Sequence, residues 1–290
     1  MKHEAIEQFV PFPGISEFIY SARDFAAVRE LVYESSANVL PSSKSTLVYS
    51  RLAPLVRISG LGTFANYIDR LRSDPAERHK AVCALTTNHT AFFREDHHFD
   101  HFREQVRPQV LRKLAAGQPV RLWSAGSSSG EEVFSLAMTL LGPDKIGARR
   151  LLSQDLAVLA SDLADHVLVK ARQAAYAADA LAPVPPDLRA LWVREDGQGG
   201  GTIADPIRQL VRFRALNLMG AWPMQKAFDV IFCRNVMIYF DQPTKDKLVA
   251  RFADQLVPGG HLYIGHSERV SGRAASQLEL VGKTIYRKQR

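Results

Sequence analysis

A short loop bounded by glycines, Gly126–Gly130, is followed at once by two carboxylates, Glu131 and Glu132. Glycine adopts backbone conformations that other residues avoid, so such a loop turns sharply and lies close to a ligand. Its spacing is not that of the dinucleotide-binding motif, and no lysine follows Gly130 as a Walker loop requires. Two carboxylates in the first turn of a helix either complement the helix dipole alone or attract a cationic ligand. S-Adenosylmethionine (SAM), with its sulfonium and ammonium groups, is a cationic ligand of this kind.

Polar residues also follow two other apolar runs. Asp162 ends the run Leu156–Ser161, and in nucleotide-binding α/β folds an acid at a strand end accepts hydrogen bonds from ribose hydroxyls. The alternative is an aspartate that caps the next helix. Arg234 and Asn235 follow the run Phe228–Cys233, where buried polar groups need partners; the alternative is a core helix with one polar edge. Scattered polar groups suit methyl transfer to a carboxylate, which needs positioned reactants rather than a nucleophilic side chain.

The elements that position these residues alternate along the chain after residue 119. The predicted strands are Val120–Ala125, Leu156–Ser161, Phe228–Cys233 and His261–Gly265, and the predicted helices are Glu131–Leu141, Asp165–Arg172 and Thr244–Leu256. This alternation predicts a doubly wound, mostly parallel α/β sheet, and Leu278–Lys288 is expected to add a closing hairpin. Ligands bind beyond the carboxyl ends of the strands in such sheets.

The first hundred residues show helical periodicity and no clean alternation of period two. Ser21 and Asp24 form a capping-box pattern at the start of a first helix, and Pro54 kinks the second helix or shifts its start. Further helices are expected around Leu47–Arg57, Phe64–Leu71 and His79–Ala91. His97 and His101 have the i, i+4 spacing of metal ligands on a helix, but no nearby cysteine completes a site, so no metal is expected.

A long connection, about residues 174–220, separates the second and third strands. It contains a flexible stretch, Gly197–Gly201, and a segment with strand character, Ile207–Arg214. An inserted antiparallel β-subdomain is therefore expected at about residues 180–215.

Composition excludes several classes of protein. The chain has 290 residues, 46% of them hydrophobic, which is ample for a core without disulfides. The two cysteines, Cys83 and Cys233, fit a reducing compartment, and no apolar stretch has the length of a signal peptide or a membrane helix, so a cytoplasmic protein without membrane insertion is expected. The net charge of +7 attracts acidic partners, but the charges are spread out, and no nucleic-acid partner is expected.

Several stretches, taken together and in this order, resemble the bacterial chemotaxis receptor methyltransferases, the CheR family. They are Leu85–Glu95, Leu122–Glu132, Ser161–Leu163, Phe228–Asp241 and Gly265–Glu268. The resemblance runs from about Asp24 to Arg287. It implies a helical N-terminal substrate-recognition domain with a linker, residues 1–103, and a Rossmann-like SAM-binding methyltransferase domain, residues 104–290, with the inserted β-subdomain.

The reaction that the resemblance implies is SAM-dependent methylation of glutamate side chains on the cytoplasmic helices of chemoreceptors. Its products are glutamyl methyl esters, which serve chemotactic adaptation, and S-adenosylhomocysteine, and it uses no metal. The SAM-binding positions that it implies are Asn88, Thr90, Arg94, Gly126, Glu132, Asp162, Asn217, Leu218, Arg234 and Asn235.

Individual roles follow from the same resemblance. Asp162 would hold the ribose, Asn217 and Leu218 would lie near the adenine, and Glu132 would favour the cationic methionine part. Arg94 and Tyr239 are the residues expected to flank the reacting centre, with Arg94 steering the acceptor carboxylate by a charge-assisted contact.

The chain departs from the family pattern in places. The second helix often carries several arginines that meet acidic receptor helices; here Arg51 and Arg57 are the expected receptor-binding residues, with Pro54 and Leu55 between them. Ala164 stands where members often have a second acid, which weakens an expected ribose contact. Some members also dock on a receptor's C-terminal peptide through the β-subdomain.

Two other functions stay open at this point. One is a SAM-binding regulatory module of a signalling system with little or no transferase activity, which the thinned arginines of the second helix favour. The other is a nucleic-acid methyltransferase, suggested by the net charge but not by any clustered basic patch with interleaved aromatics.

Overall fold

The structure is a computed structural model that describes residues 14–16 and 18–289. These residues pack as two compact units. The first unit contains the described chain up to Thr87 and the short segment Tyr239–Asp241, and the second contains Asn88–Ile238 and the described residues from Gln242 onward. None of the helices in the described part of the chain is long and apolar enough to cross a membrane.

Four α-helices build the first unit: α1 (Ala22–Ser36), α2 (Ser45–Ser59), α3 (Phe64–Ser73) and α4 (Pro75–Leu85). The predicted capping box at the start of α1 is confirmed, because the Ser21 hydroxyl accepts from the Asp24 N–H and the Asp24 carboxylate accepts from the Ser21 N–H. Pro54 lies inside α2 and does not move its start. Buried apolar side chains, among them Leu52 and Val28, form the core of this unit.

The fourth helix begins and ends earlier than the predicted His79–Ala91. Asp74 caps its first turn, since one carboxylate oxygen accepts from two main-chain N–H groups. Pro75 occupies the first helical position, where a missing N–H has no effect on the helix. Thr86 has an extended backbone and ends the helix.

The second unit contains α5 (His97–His101), α6 (Arg107–Ala115), α7 (Glu131–Leu141), α8 (Lys145–Leu152), α9 (Asp165–Gln173), α10 (Ala178–Leu181), α11 (Pro186–Trp192), α12 (Asp205–Leu210) and α13 (Gln242–Gln255). Its strands are β1 (Val120–Ala125), β2 (Leu156–Asp162), β3 (Ala175–Tyr176), β4 (Val193–Glu195), β5 (Gly201–Ile203), β6 (Val211–Ala215), β7 (Phe228–Cys233), β8 (Leu256–Ile264), β9 (Leu278–Gly282) and β10 (Ile285–Lys288). Seven strands form one sheet in the order β6-β2-β1-β7-β8-β10-β9. The first five are parallel, and β10 and β9 add antiparallel pairs, which confirms the predicted α/β sheet with its closing hairpin.

The predicted antiparallel β-subdomain is confirmed, but it begins and ends earlier than the expected residues 180–215. A small antiparallel sheet, β3-β5-β4, lies between Ala175 and Ile203. The predicted strand Ile207–Arg214 is wrong in its first half, because Asp205–Leu210 is helical. Its second half pairs parallel with β2 at the edge of the large sheet. Alternating burial along β6 explains this position, since Val211 and Phe213 are buried and their arginine neighbours are exposed.

The segment that joins the two units packs into the second. Phe92, Phe99 and Phe102 are buried in the core beside β1 and α7. The division between the units therefore falls at Thr87 and Asn88, whereas the sequence places the domain boundary near residue 103. This packing holds the segment 88–96, which carries several predicted site residues, against the α/β sheet.

Candidate functional site

The loop after β1 turns over the end of β2. The main-chain N–H groups of Gly126 and Ser127 donate to the Ser161 carbonyl at 2.8 and 2.9 Å. Gly126 has a φ of +81°, and a Cβ there would overlap the Cγ2 atom of Val236. Glycine is thus required both by the backbone conformation and by the close approach of the segment after β7.

Asp162 is buried at the end of β2, 8% exposed. One carboxylate oxygen accepts from the Ser128 N–H at 2.8 Å and the other from the Ala164 N–H at 2.9 Å. Burial raises the pKa of Asp162, and these two hydrogen bonds act against that rise. The Ser128 hydroxyl donates to the Asn88 carbonyl at 2.7 Å, so the loop brings Asn88 to the same place.

Arg234 lies between two carboxylates just beyond the end of β7. Its guanidinium is 3.4 Å from Glu132 and 3.6 Å from Glu95, and it also donates to the carbonyl of Arg94. The Ser124 hydroxyl donates to the second Glu132 oxygen at 2.8 Å. Burial raises the pKa of Glu132, while the Arg234 charge opposes that rise. The predicted residues Glu132 and Arg234 therefore form one buried ion pair.

Glu95 joins this network and was not among the predicted site residues. One of its oxygens lies 3.3 Å from the Asn235 amide nitrogen and 3.1 Å from Nδ1 of His266. Burial pushes the pKa of Glu95 up, but Arg234, His266 and Asn235 hold it below its ordinary value. Glu95 has a φ of +55°, a conformation that nothing in the sequence signals.

The remaining SAM-side predictions fall around the same sheet edge. Thr90 and Arg94 are half-buried in the segment after Asn88, and Arg94 donates to the His89 carbonyl at 3.1 Å. Asn217 follows β6, and its side-chain oxygen accepts from the Met219 N–H at 2.9 Å. The residue before it, Leu216, donates its N–H to the carbonyl of Asp162 at 2.9 Å, which ties this turn to the end of β2. Leu218 is buried.

The other predicted residues lie in the first unit. The Tyr239 carbonyl accepts from the Val39 N–H at 2.8 Å. Arg51 donates to the carbonyls of Thr86 and Ala84, so its guanidinium caps the end of α4. Arg57 is exposed on α2.

His101, one of the two histidines with metal-ligand spacing in the sequence, contacts a tyrosine. His101 is hydrogen bonded through Nδ1 to the Tyr263 hydroxyl at 2.9 Å. Within the described ranges, the group able to hold a metal ion is Glu95, His97 and His98, whose ligand atoms lie within 4.8 Å of one another. The Arg234 guanidinium is 3.6 Å from the Glu95 oxygen of that group, and its charge opposes a cation there.

Known protein families match both units of the chain. Residues 88–287 match "CheR methyltransferase, SAM binding domain", and residues 23–86 match "CheR methyltransferase, all-alpha domain". The chain belongs to the CheR methyltransferase family. This confirms the resemblance and the arrangement of a helical domain before a SAM-binding methyltransferase domain.

Curated relatives agree with this over most of their length. The "Probable chemotaxis protein methyltransferase" of Rhizobium etli is 43% identical over 262 residues, covering 89% of this chain and 96% of that protein. "Chemotaxis protein methyltransferase 2" of Pseudomonas aeruginosa is 41% identical over 280 residues, covering 95% and 96%. The "Chemotaxis protein methyltransferase" of Escherichia coli is 37% identical over 268 residues, covering 90% and 89%. The CheR chain is thus a SAM-dependent methyltransferase of chemotaxis.

The donor chemistry of the site fits SAM. Four carboxylates belong to the candidate site: Glu95 in the segment before α5, Glu131 and Glu132 at the start of α7, and Asp162 at the end of β2. Two guanidinium groups, those of Arg94 and Arg234, lie among them, which leaves an excess of negative charge. Such a set accepts hydrogen bonds from ribose hydroxyls and attracts a cationic ligand, as the Glu131–Glu132 pattern suggests.

Proposed function

We propose that this chain methylates glutamate side chains on the cytoplasmic helices of bacterial chemoreceptors, using SAM and giving glutamyl methyl esters and S-adenosylhomocysteine. The observation that carries the proposal is the buried Asp162 carboxylate, which two main-chain N–H groups hold at the end of β2. In a chain of this family, that carboxylate is a preformed acceptor for ribose hydroxyls. The relatives are named chemotaxis protein methyltransferases, which supports a chemoreceptor substrate for this chain.

The chain's residues divide the work of binding and positioning. Asp162 would hold the ribose, and the turn of Asn217 and Leu218 would lie along the adenine. Glu132, held by Arg234 and Ser124, would favour the cationic methionine part.

When bound, SAM supplies a methyl group on a positively charged sulfur, a good leaving group for displacement by a carboxylate oxygen. The reaction needs no nucleophile on the enzyme, so the protein's task is alignment and the exclusion of water. Arg94 and Tyr239 would flank the reacting centre. Arg94 would steer the acceptor carboxylate through a charge-assisted hydrogen bond. No metal is assigned to this step.

The test is transfer of radiolabelled methyl from SAM to chemoreceptor-containing membranes of the source organism. Wild type is compared with Asp162→Ala and with Asp165→Ala, an exposed aspartate three positions along the chain. We expect label on a receptor-sized band that alkali releases, lost in Asp162→Ala and kept in Asp165→Ala. Alkali-stable label would contradict ester formation. Intact SAM binding by calorimetry without any label would point to the regulatory module.

A further inference from the structure

The turn after β6 is held by the helix α13 through a single arginine. Arg251 donates from one guanidinium nitrogen to the Leu218 carbonyl at 2.6 Å and from the other to the Gly220 carbonyl at 2.7 Å. Gln255, one helical turn further, donates to the Lys226 carbonyl at 2.9 Å. Three side-chain hydrogen bonds, two from Arg251 and one from Gln255, thereby fix the loop to α13.

The same guanidinium also stacks on an aromatic ring. The Arg251 Cζ atom lies 3.9 Å from the centroid of the Trp222 ring, and the Trp222 indole N–H donates to the Leu218 carbonyl at 3.1 Å. Trp222 packs edge-on against Trp123 of β1 at 4.9 Å between ring centroids. The Arg251 guanidinium is therefore held in place by stacking on the half-buried Trp222, and its two hydrogen bonds in turn fix the main chain of the turn.

On its other side, the turn is joined to the ribose-end carboxylate. The Leu216 N–H donates to the Asp162 carbonyl, and the Asn217 side chain closes the turn onto the Met219 N–H. The two residues proposed to lie along the adenine thus sit between Asp162 and the Arg251 fork.

We propose that Arg251 is a positioning residue for the adenine end of SAM: its two parallel donors fix the Leu218–Gly220 main chain so that Asn217 and Leu218 are presented to the base. This rests on the proposed placement of adenine at Asn217 and Leu218. Arg251 touches neither reactant and acts through the turn. Lysine keeps the charge but lacks the planar fork, so it cannot hold both carbonyls at once.

The test measures binding of SAM and of S-adenosylhomocysteine by calorimetry, without a receptor. We expect Arg251→Ala to weaken SAM binding about tenfold and Arg251→Lys to weaken it about threefold, as loss of charge-assisted hydrogen bonds implies. Arg273→Ala, which removes an exposed ion pair with Asp254, is the matched control and should change the affinity for neither ligand.

A second readout separates positioning from general loosening. S-Inosylhomocysteine carries a carbonyl where adenine has its amino group, so the ratio of its dissociation constant to that of S-adenosylhomocysteine reports on base reading. We expect this ratio to fall toward one in Arg251→Ala and to be partly kept in Arg251→Lys. Unchanged SAM affinity in both variants, or an equal loss for both ligands, would overturn the proposal. If Arg251→Ala does not fold, Arg251→Lys carries the test alone. Because no receptor is present, failure of receptor methylation would leave this result standing.

Discussion

At the scale of single residues, the candidate site is built around a network of buried ion pairs. Arg234 is 6% exposed and has carboxylates on two sides, Glu132 and Glu95. A buried charge without its partner is costly, so each member of this network depends on the others. Replacing one carboxylate by its amide tests this dependence without changing shape.

We expect Glu132→Gln to lower the free energy of unfolding by about 1 to 3 kcal/mol, because Arg234 keeps only Glu95 as a counter-charge. SAM affinity should fall about tenfold, because the variant lacks the Glu132 carboxylate that is proposed to favour the cationic methionine part. Denaturant unfolding and calorimetry measure the two effects. Glu131→Gln is the matched control: Glu131 is equally buried but bonded to the Ser129 hydroxyl. Equal losses in both variants would show that the ion pair of Glu132 with Arg234 contributes no more than the hydrogen bond of Glu131 with Ser129.

His98 makes the stability of the folded chain depend on pH. It is fully buried, and burial together with the nearby Arg234 charge lowers its pKa from 6.5 to about 3. As the pH falls below 6.5, His98 therefore binds a proton in the unfolded chain but not in the folded chain, and stability is lost down to about pH 3. Glu132 and Asp162 act in the opposite direction, since burial raises their pKa.

The difference between wild type and His98→Gln isolates this proton. Between about pH 6 and pH 4, wild type should lose about 1.4 kcal/mol per pH unit relative to the variant. The glutamine amide can still donate to the Lys283 carbonyl, which lies 3.2 Å from Nε2 of His98 in the native chain. Parallel stability curves from urea unfolding would mean that His98 is protonated in the folded chain.

Which site residues the sequence reveals depends on how local their signal is. Asp162 and Arg234 are predictable, because each directly follows an apolar strand and parallel strands end at one edge. Glu95 is not, because its role requires a positive φ and contacts from segments after β7 and β8. Arg251 is hidden in the same way, since it lies on an ordinary helix and its partners are main-chain carbonyls 33 and 31 residues away.

At the scale of elements, the strand–loop–helix unit β1–loop–α7 depends on Gly126. We expect Gly126→Ala to weaken SAM binding at least tenfold and to lower stability by about 1 to 3 kcal/mol, because the new methyl meets Val236 and the φ of +81° disfavours alanine. Gly117→Ala is the control for strain alone: its φ is +71° and nothing lies within 4 Å. Adding Val236→Ala should restore part of the binding. No rescue in the double variant would mean that the overlap with Val236 is irrelevant.

The two arginines of α2 are expected to have different roles, Arg51 in stability and Arg57 in receptor binding. Arg51→Ala removes the cap on the end of α4 and should lower the free energy of unfolding by about 1 to 2 kcal/mol. Arg57→Ala changes an exposed side chain and should leave stability unaltered while lowering kcat/KM for receptor membranes several-fold. Thermal unfolding and the membrane methylation assay check the pair. A normal kcat/KM in Arg57→Ala would remove Arg57 from receptor binding.

The elements themselves were largely predictable where a pattern is long and regular. The parallel strands β1, β2 and β7 and the helix α7 fall where their apolar runs predict, and the capping box at Ser21 marks the start of α1. Local signals failed where two elements abut. Asp205–Leu210 and Val211–Ala215 form one continuous stretch of apolar and charged residues in the sequence, and only pairing with β2 divides it into helix and strand.

At the scale of the whole molecule, we expect the net charge of +7 to favour encounter with the proposed acidic receptor. The carboxylates of the candidate site are buried or half-buried, so we expect the chain's excess of positive charge to act through its surface. A basic surface speeds encounter with an acidic receptor helix, and salt screens that attraction over about 10 Å at 0.1 M. The small buried cofactor contacts are screened much less.

Raising sodium chloride from about 0.05 to 0.5 M should therefore lower kcat/KM for receptor membranes several-fold, while the dissociation constant for SAM changes less than about twofold. The same salt series with added DNA or RNA tests whether nucleic acid is the methylated partner instead. If the positive charge serves a receptor, nucleic acid at matched phosphate concentration should inhibit only at low salt and should never accept label. Transfer of methyl to the nucleic acid, or receptor methylation that is insensitive to salt, would contradict this account. Because Arg57→Ala removes one of the positive charges expected to meet the receptor, it should also flatten the salt dependence, which ties the whole-molecule effect to a single exposed residue of α2.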